Sequence, residues 1–458
     1  MTNFKIYMLS FVVMLFFGSC DTRDTSGQNA QAVSNTDIAP VSAKNKVIYE
    51  INVRNYSSAG NFEGVQKDLA RLKDLGVDIL WLMPIHPIGE VNRAGSLGSP
   101  YSIKDYKAVN PEFGTAQDFK NLVDAAHALK IEIWMDWVGN HTAWDHPWVT
   151  SNIDYYSSQN GQQPYSPNGW NDVAQLDYSN PAMRAEMIDA MKYWVQNFNI
   201  DGYRCDAATL YIPVDFWVQA REQVNAIKKI TWLNEGDNPA YMVAFDYDYA
   251  WGYSNVLNTF GTGSDITNLV AESVKLFNNP NYKDKGRMVY IANHDLNAHD
   301  GTEFTRYGAN VLPLTVLSYT IYDLPLINNG QEIGMNKSIS LFEKDPLVWD
   351  PVNKIHLDLH KKLVRLKKTQ PALEDGINRG AMKVLPINKP NVFAYTRTRG
   401  NNEILVVLNF NNVAVNYKFE GTAPSGEYTN YLTGEQKTFS ANEGNILMEK
   451  GYAVYVKN

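Results

Sequence analysis

The chain has 458 residues, of which 44% are hydrophobic and 20% charged. At about 100–200 residues per domain, that length suits one large domain with a smaller partner, and the apolar share excludes a disordered chain. Lys and Arg number 41 against 49 Asp and Glu, a net charge of −8 with no block of like charges, which argues against a nucleic-acid partner.

Lys5 precedes an apolar run from Ile6 to Phe17, about a dozen residues and too short to cross a membrane as a helix. Such a run reads as a signal peptide. It ends in Phe17, Gly18, Ser19 and Cys20, which resembles the lipobox of bacterial lipoproteins, whose cysteine is lipidated and becomes the new N-terminus. An ordinary cleaved secretory signal is the plainer alternative. The expectation is a lipoprotein signal peptide over 1–20, lipidation at Cys20 and a flexible tether over 21–45, which is poor in bulky apolar residues. The protein would then sit at a bacterial cell envelope, facing the periplasm or the surface, and would meet a membrane only through its lipid anchor. Cys205 would be left without a partner for an internal disulfide.

From residue 46 short apolar runs alternate with helical patterns. Strands are expected at 47–53, 78–85, 131–138, 200–206, 230–234, 288–293 and 325–328. Val65, Leu69, Leu72 and Leu75 lie on one helical face, and further helices are expected at 116–129, 181–198, 214–227, 309–321 and 354–367. The second of these carries a core stripe of Met183, Met187, Met191 and Trp194. This alternation predicts an α/β fold, a closed (β/α)₈ barrel of the TIM type over 46–376, with strands five and six the least distinct. Residues 142–180 are too long for an ordinary connection and predict a small subdomain inserted after strand three. Over 377–458 short strands such as 392–397, 403–410 and 452–456 predict a C-terminal antiparallel β-sandwich domain.

Active sites of such barrels gather at the C-terminal ends of the strands. Polar groups mark four of these ends: 135–141 (MDWVGNH), 201–208 (DGYRCDAA), 232–238 (WLNEGDN) and 290–298 (YIANHDLNA). The period of two in a strand turns Arg204 and Asp206 to the barrel mouth and Cys205 to the outer helices. An arginine beside a carboxylate favours its ionised form. Asp206, Glu235 and Asp295 together supply the carboxylates that retaining glycoside hydrolysis requires, although acidic strand ends alone would equally suit a metal ion.

These four segments resemble the signature regions of the α-amylase family of glycoside hydrolases: an Asp followed by Asn-His, a Gly-x-Arg-x-Asp, an isolated Glu and a His-Asp pair, in that order. The loop 99–114 is similar to the family's loop after strand two. The resemblance implies that Asp206 is the nucleophile, Glu235 the general acid and base, and Asp295 a third carboxylate that binds and distorts the sugar. It also implies that Arg204 orients Asp206, that His141 and His294 bind sugar hydroxyls, and that Tyr101 stacks on the ring. Asp136 and Asn140 read as supporting residues. Many family members hold calcium through the Asn, an Asp of the inserted subdomain and a His four residues past the nucleophile. Here Asn140 fits, but Leu210 and Gln175 stand at the other two positions, so calcium is expected to be weak or absent and no cofactor is required. The implied activity is retaining hydrolysis of α-1,4-glucosidic bonds in starch-like α-glucans or maltooligosaccharides. Transglycosylation, exo-acting α-glucosidase activity and a non-catalytic glycan-binding lipoprotein are the alternatives, the last disfavoured by the three intact carboxylates.

Overall fold

The computed structural model describes residues 45–458 apart from 262, 264, 422, 441–443 and 450. The expected signal peptide, Cys20 and all of the expected tether but Asn45 lie outside the described residues. Eight parallel strands close on themselves in chain order: β1 Ile48–Ile51, β2 Ile79–Leu82, β3 Glu132–Val138, β4 Gly202–Asp206, β5 Thr231–Asn234, β6 Tyr247–Tyr249, β7 Gly286–Val289 and β8 Leu324–Ile327. Alternation along each strand divides the core in two. Ile48, Ile79, Trp134, Leu233, Tyr247, Met288 and Leu324 fill the interior, while Tyr49, Leu80, Ile133, Tyr203, Cys205 and Trp232 pack outward against the helices. The interior rings are bulky enough to require glycine opposite them. A Cβ on Gly202 would lie 2.6 Å from the Trp134 ring, and one on Gly286 would overlap Tyr247.

The outer helices carry local start and stop signals. Pro181–Phe198 begins with Asn180 accepting from the Ala182 and Met183 amides, has Pro at its first turn, and ends at Asn199 in a left-handed conformation (φ 61°). Its Met183, Met187, Met191 and Trp194 are all buried. The expected helix around Val65 to Leu75 is two short helices, Phe62–Gln66 and Leu69–Leu75, with all four apolar residues buried.

Strand six and the two helices after it, Trp251–Gly261 and Ile266–Phe277, have no counterpart among the sequence expectations. The strand is only three residues long, and its outward positions are acidic because arginines from elsewhere meet them. Arg287 Nε donates to Asp248 at 2.9 Å, and Arg221 Nη2 to the flanking Asp246 at 2.7 Å. Strand seven also ends at Val289, earlier than the expected 293, so the segment carrying His294 and Asp295 belongs to the connection beyond it.

Between β3 and Pro181–Phe198 the chain rises into a small unit. A ribbon of His141–Ala143 paired with Val173–Gln175 forms its base, and short helical turns form its body. After the barrel come β9 Ala381–Leu385, β10 Val392–Arg399, β11 Asn402–Asn409, β12 Val415–Tyr417, β13 Gly426–Asn430, β14 Gln436–Phe439, β15 Ile446–Met448 and β16 Gly451–Lys457. All pairings among them are antiparallel, in a six-stranded sheet of order β9-β10-β11-β16-β13-β14 faced by the β12–β15 ribbon. Leu405, Val407, Tyr417, Tyr428 and Phe439 fill the space between them. The sheet's other face joins the barrel, where fully buried Arg397 donates to the carbonyls of Thr320 and Ile321 at 2.8 and 3.0 Å.

One ion pair at this junction is wholly buried. Lys367 Nζ lies 2.5 Å from Asp375 Oδ1 and donates to the Leu373 carbonyl at 2.6 Å. Removing one partner of such a pair strands the other charge, whereas replacing both by apolar groups does not. Lys367→Met is therefore expected to cost about 3–5 kcal/mol in urea denaturation, and adding Asp375→Leu should recover most of the loss.

Candidate active site

The barrel interior turns polar toward the C-terminal ends of its strands, and a single guanidinium organises that layer. Arg204 is completely buried on β4. Its Nη1 donates to Asp136 Oδ1 and Oδ2 at 2.8 and 3.0 Å and to Asp206 Oδ1 at 2.8 Å, and its Nε donates to the Tyr249 hydroxyl at 3.1 Å. Nη2 lies 2.8 Å from Glu235 Oε1, an ion pair by distance without hydrogen-bond alignment. The Trp81 ring flanks the guanidinium at 5.0 Å, with Tyr249 at 5.5 Å and Tyr101 at 5.8 Å. Arg204 and Asp206 thus face the mouth together, and Cys205 packs outward, as the strand period requires.

At Asp206 the arginine favours the ionised form, as expected, but burial works against it. Burial raises its carboxyl, Arg204 opposes the rise, and Asp136 and Asp295 add to it, leaving it at about 6. The arginine limits the shift but does not hold the carboxyl below the ordinary range. Glu235 is raised likewise, to about 7, by burial against the pull of Arg204, with Asp206 and Asp295 reinforcing burial. Its other oxygen accepts the Ala207 amide at 2.6 Å, which ties it to the turn that follows Asp206. Two neighbouring carboxyls thus share one guanidinium, and burial makes both hold a proton more readily than in water, which suits proton transfer near neutral pH.

Asp295 and His294 follow β7 and open a π-helical turn, Leu296–Asp300. His294 Nε2 lies 2.7 Å from the Tyr101 hydroxyl and 3.3 Å from Asp295 Oδ1, while Nδ1 lies 2.5 Å from Glu50 Oε1. Burial disfavours charging this imidazole, but Asp295 and Glu50 outweigh it and raise it to about 9. The Tyr101 ring stacks on His294 at 5.4 Å and 20°, and its hydroxyl also contacts Asp136 at 3.2 Å. Six of the residues expected from sequence, Asp206, Glu235, Asp295, Tyr101, Arg204 and His294, therefore form one connected cluster.

His141 lies at the cluster's edge, buried and lowered to about 4 by that burial. Trp170 from the inserted unit packs on it at 5.5 Å. Beside it, Gln175 Nε2 donates to the Asn140 carbonyl at 2.9 Å and to Asn140 Oδ1 at 3.2 Å. Those are the oxygens that a cation at Asn140 would need, and here they face an N–H donor, with no carboxylate in the pair. This donor set does not fit calcium. Among the described residues no group of three or more His, Cys, Asp and Glu is arranged to hold a metal ion.

Four contributors were absent from the sequence reading: Glu50, Trp81, Tyr249 and Trp170. Glu50 had a readable signal, as the one charged residue at an inward position of an apolar strand. Tyr249 lies on the unrecognised sixth strand, and Trp170 reaches His141 only through the fold of the inserted unit.

A carboxyl held above its unfolded value stabilises the fold only while protonated. Glu235, at about 7 against 4.5, loses that contribution as pH rises through 7. Glu235→Gln, which mimics the protonated form, is expected to stabilise the protein by about 2 kcal/mol at pH 8 and by much less at pH 4.5, as read from denaturation curves at the two pH values.

Two family models match the chain. The alpha amylase catalytic domain covers residues 23–242, and the alpha amylase C-terminal all-beta domain covers residues 387–456. Among solved structures, an alpha-amylase from Lactobacillus plantarum is 32% identical, with a TM-score of 0.81 over 90% of this chain and 99% of that one. A maltogenic alpha-amylase from Thermotoga neapolitana is 28% identical, with a TM-score of 0.82 over 90% and 98%. Alpha-amylase 3 of Dictyoglomus thermophilum is 26% identical over 452 residues, 82% of this chain and 87% of its own length. Matches to both domains and an identity of 32% along nearly all of a solved relative leave one conclusion from the closed barrel and its carboxylate cluster: the chain belongs to the alpha-amylase family of glycoside hydrolases.

Proposed function

We propose that the protein hydrolyses α-1,4-glucosidic bonds of starch-like α-glucans or maltooligosaccharides with retention of anomeric configuration. The observation that carries this reading is that one buried guanidinium, Arg204, holds both Asp206 and Glu235 at the barrel mouth, where burial and the neighbouring Asp295 raise both carboxyls. In this mechanism the Asp206 carboxylate attacks the anomeric carbon, and the C1–O bond breaks as Glu235 passes its proton to the leaving oxygen. Water then gives a proton to Glu235 and adds to the same carbon, releasing Asp206. Asp295, with the positively charged His294 beside it, binds sugar hydroxyls, and Tyr101 offers a ring face, its hydroxyl being engaged by His294 and Asp136. The names of the Lactobacillus and Thermotoga relatives support the substrate class.

Incubation of the full-length protein with maltoheptaose is expected to release short products that are first α-configured. Asp206→Asn should reduce the rate by several orders of magnitude. The dependence of kcat/KM on pH should be bell-shaped, with limbs set by the coupled pair at about 6 and about 7. First-formed β-configured products would overturn the retaining mechanism, and product lengths distinguish endo from exo cleavage and from transfer.

The Gln175–Asn140 pairing supports activity without a resident calcium ion. The melting temperature should be unchanged by excess chelator, and a sharp drop would refute this. The proposed site of attachment is a lipid at Cys20, placing the enzyme at the bacterial envelope. Cys20→Ala should move the protein from membranes to the soluble fraction, and unchanged membrane association would defeat the anchor.

A further inference from the structure

A cavity of about 540 Å³ opens between the inserted unit and the loop that follows β4. Its walls include Tyr165, Asp177 and Ser179 on one side and Tyr211, Pro213 and Tyr241 on the other, and none of Asp206, Glu235 and Asp295 borders it. Its size falls within the about 300–1,000 Å³ of small-molecule sites, and its lining joins aromatic rings to a few polar groups. Such a lining suits a pyranose, whose C–H face packs on a ring while its hydroxyls seek oxygen partners.

Tyr211 is the most telling member. It is 52% exposed, although large and aromatic, and its backbone is held at φ 62°, a conformation that a bulky side chain adopts only when the surrounding structure imposes it. Its hydroxyl donates to Asn168 Oδ1 at 3.2 Å, linking the loop to the tip of the inserted unit. Across the cavity Asp177 uses Oδ1 to accept the Ser179 amide at 2.8 Å. Tyr241 is braced from behind by its hydrogen bond to the Ile212 carbonyl at 2.8 Å. The cavity is also wired to the catalytic cluster. Tyr211 lies five residues beyond Asp206, and Gln175, which lines the cavity, pairs in the ribbon with His141.

We infer that this cavity is a second carbohydrate site, which holds a stretch of α-glucan chain outside the catalytic centre. The inference rests on the α-glucan reading of the substrate. A chain anchored there raises the effective concentration of its other glucosyl units at the catalytic carboxylates, so long substrates gain and short ones do not.

The test compares soluble starch with a short chromogenic maltoside, using Tyr211→Gly and Tyr165→Ala in the full-length protein. Glycine adopts φ 62° without strain, so the first variant removes the ring and keeps the loop. Each variant is expected to lose about fivefold in kcat/KM on starch while its activity on the short maltoside stays within about twofold of wild type. In the Asp206→Asn background, retardation by amylopectin in a native gel should fall when Tyr211→Gly is added. Equal losses on both substrates, or unchanged activity on both with unchanged retardation, would overturn the second site. Wild-type protein that cleaves no α-glucan would instead overturn the substrate reading, and is seen before any variant is made.

Discussion

A full positive charge sits at the centre of this barrel with no access to water, and the polar half of the molecule is arranged around it. Arg204 is buried among rings and carboxylates, and an unpaired guanidinium there would cost several kcal/mol, a large share of a domain's net stability. Asp136 from β3, Asp206 from its own strand, Glu235 just past β5 and the Tyr249 hydroxyl from β6 converge on it. Strands three to six are thereby held in register at the end where the site lies. The same contacts aim Asp206 and Glu235 into the mouth, so the interaction that makes burial tolerable also positions the reactive groups.

The barrel interior divides by height. Toward the N-terminal ends Trp134 and Tyr247 fill the space so fully that their neighbours on β4 and β7 are glycines. Toward the C-terminal ends the apolar filling gives way to Glu50, Asp136, Arg204 and Tyr249. Carboxyls gathered there repel one another and lose hydration, which raises Asp136, Asp206 and Glu235 together. The rigid lower layer and the outer helices offset that stored instability, a division familiar in sites whose geometry opposes their own electrostatics.

The inserted unit meets the catalytic cluster through neutral hydrogen bonds. Gln175 clasps the backbone and side chain of Asn140, so the ribbon reaches the catalytic cluster through an amide. This brings Trp170 onto His141 and leaves the flank toward Tyr211 open as a cavity. One short segment thus borders both the catalytic cluster and the cavity beside it.

Much of this was legible in the chain. Helices with a strong apolar stripe and their own caps, such as Pro181–Phe198, are specified by contacts within a few residues, so periodicity finds them. The four polar strand ends also stand out, because an apolar strand has no local reason to end in Arg, Asp or Glu. Strand six was not legible. Its three residues carry Asp248, and Asp246 flanks them; their partners, Arg287 and Arg221, come from other elements of the chain, and only closure of the barrel makes those charges tolerable. Nor could spacing reveal that burial outweighs Arg204 at Asp206, that Asp295 and Glu50 together raise His294, or that Gln175 turns its amide to Asn140. Those outcomes depend on desolvation and on distances between residues far apart in the chain. The sequence by itself determined the alternation of elements and the identity of the chemical groups, because both are written in local pattern. Only the tertiary structure decided which groups share a proton, a charge or a cavity, because those properties arise when distant side chains leave water together.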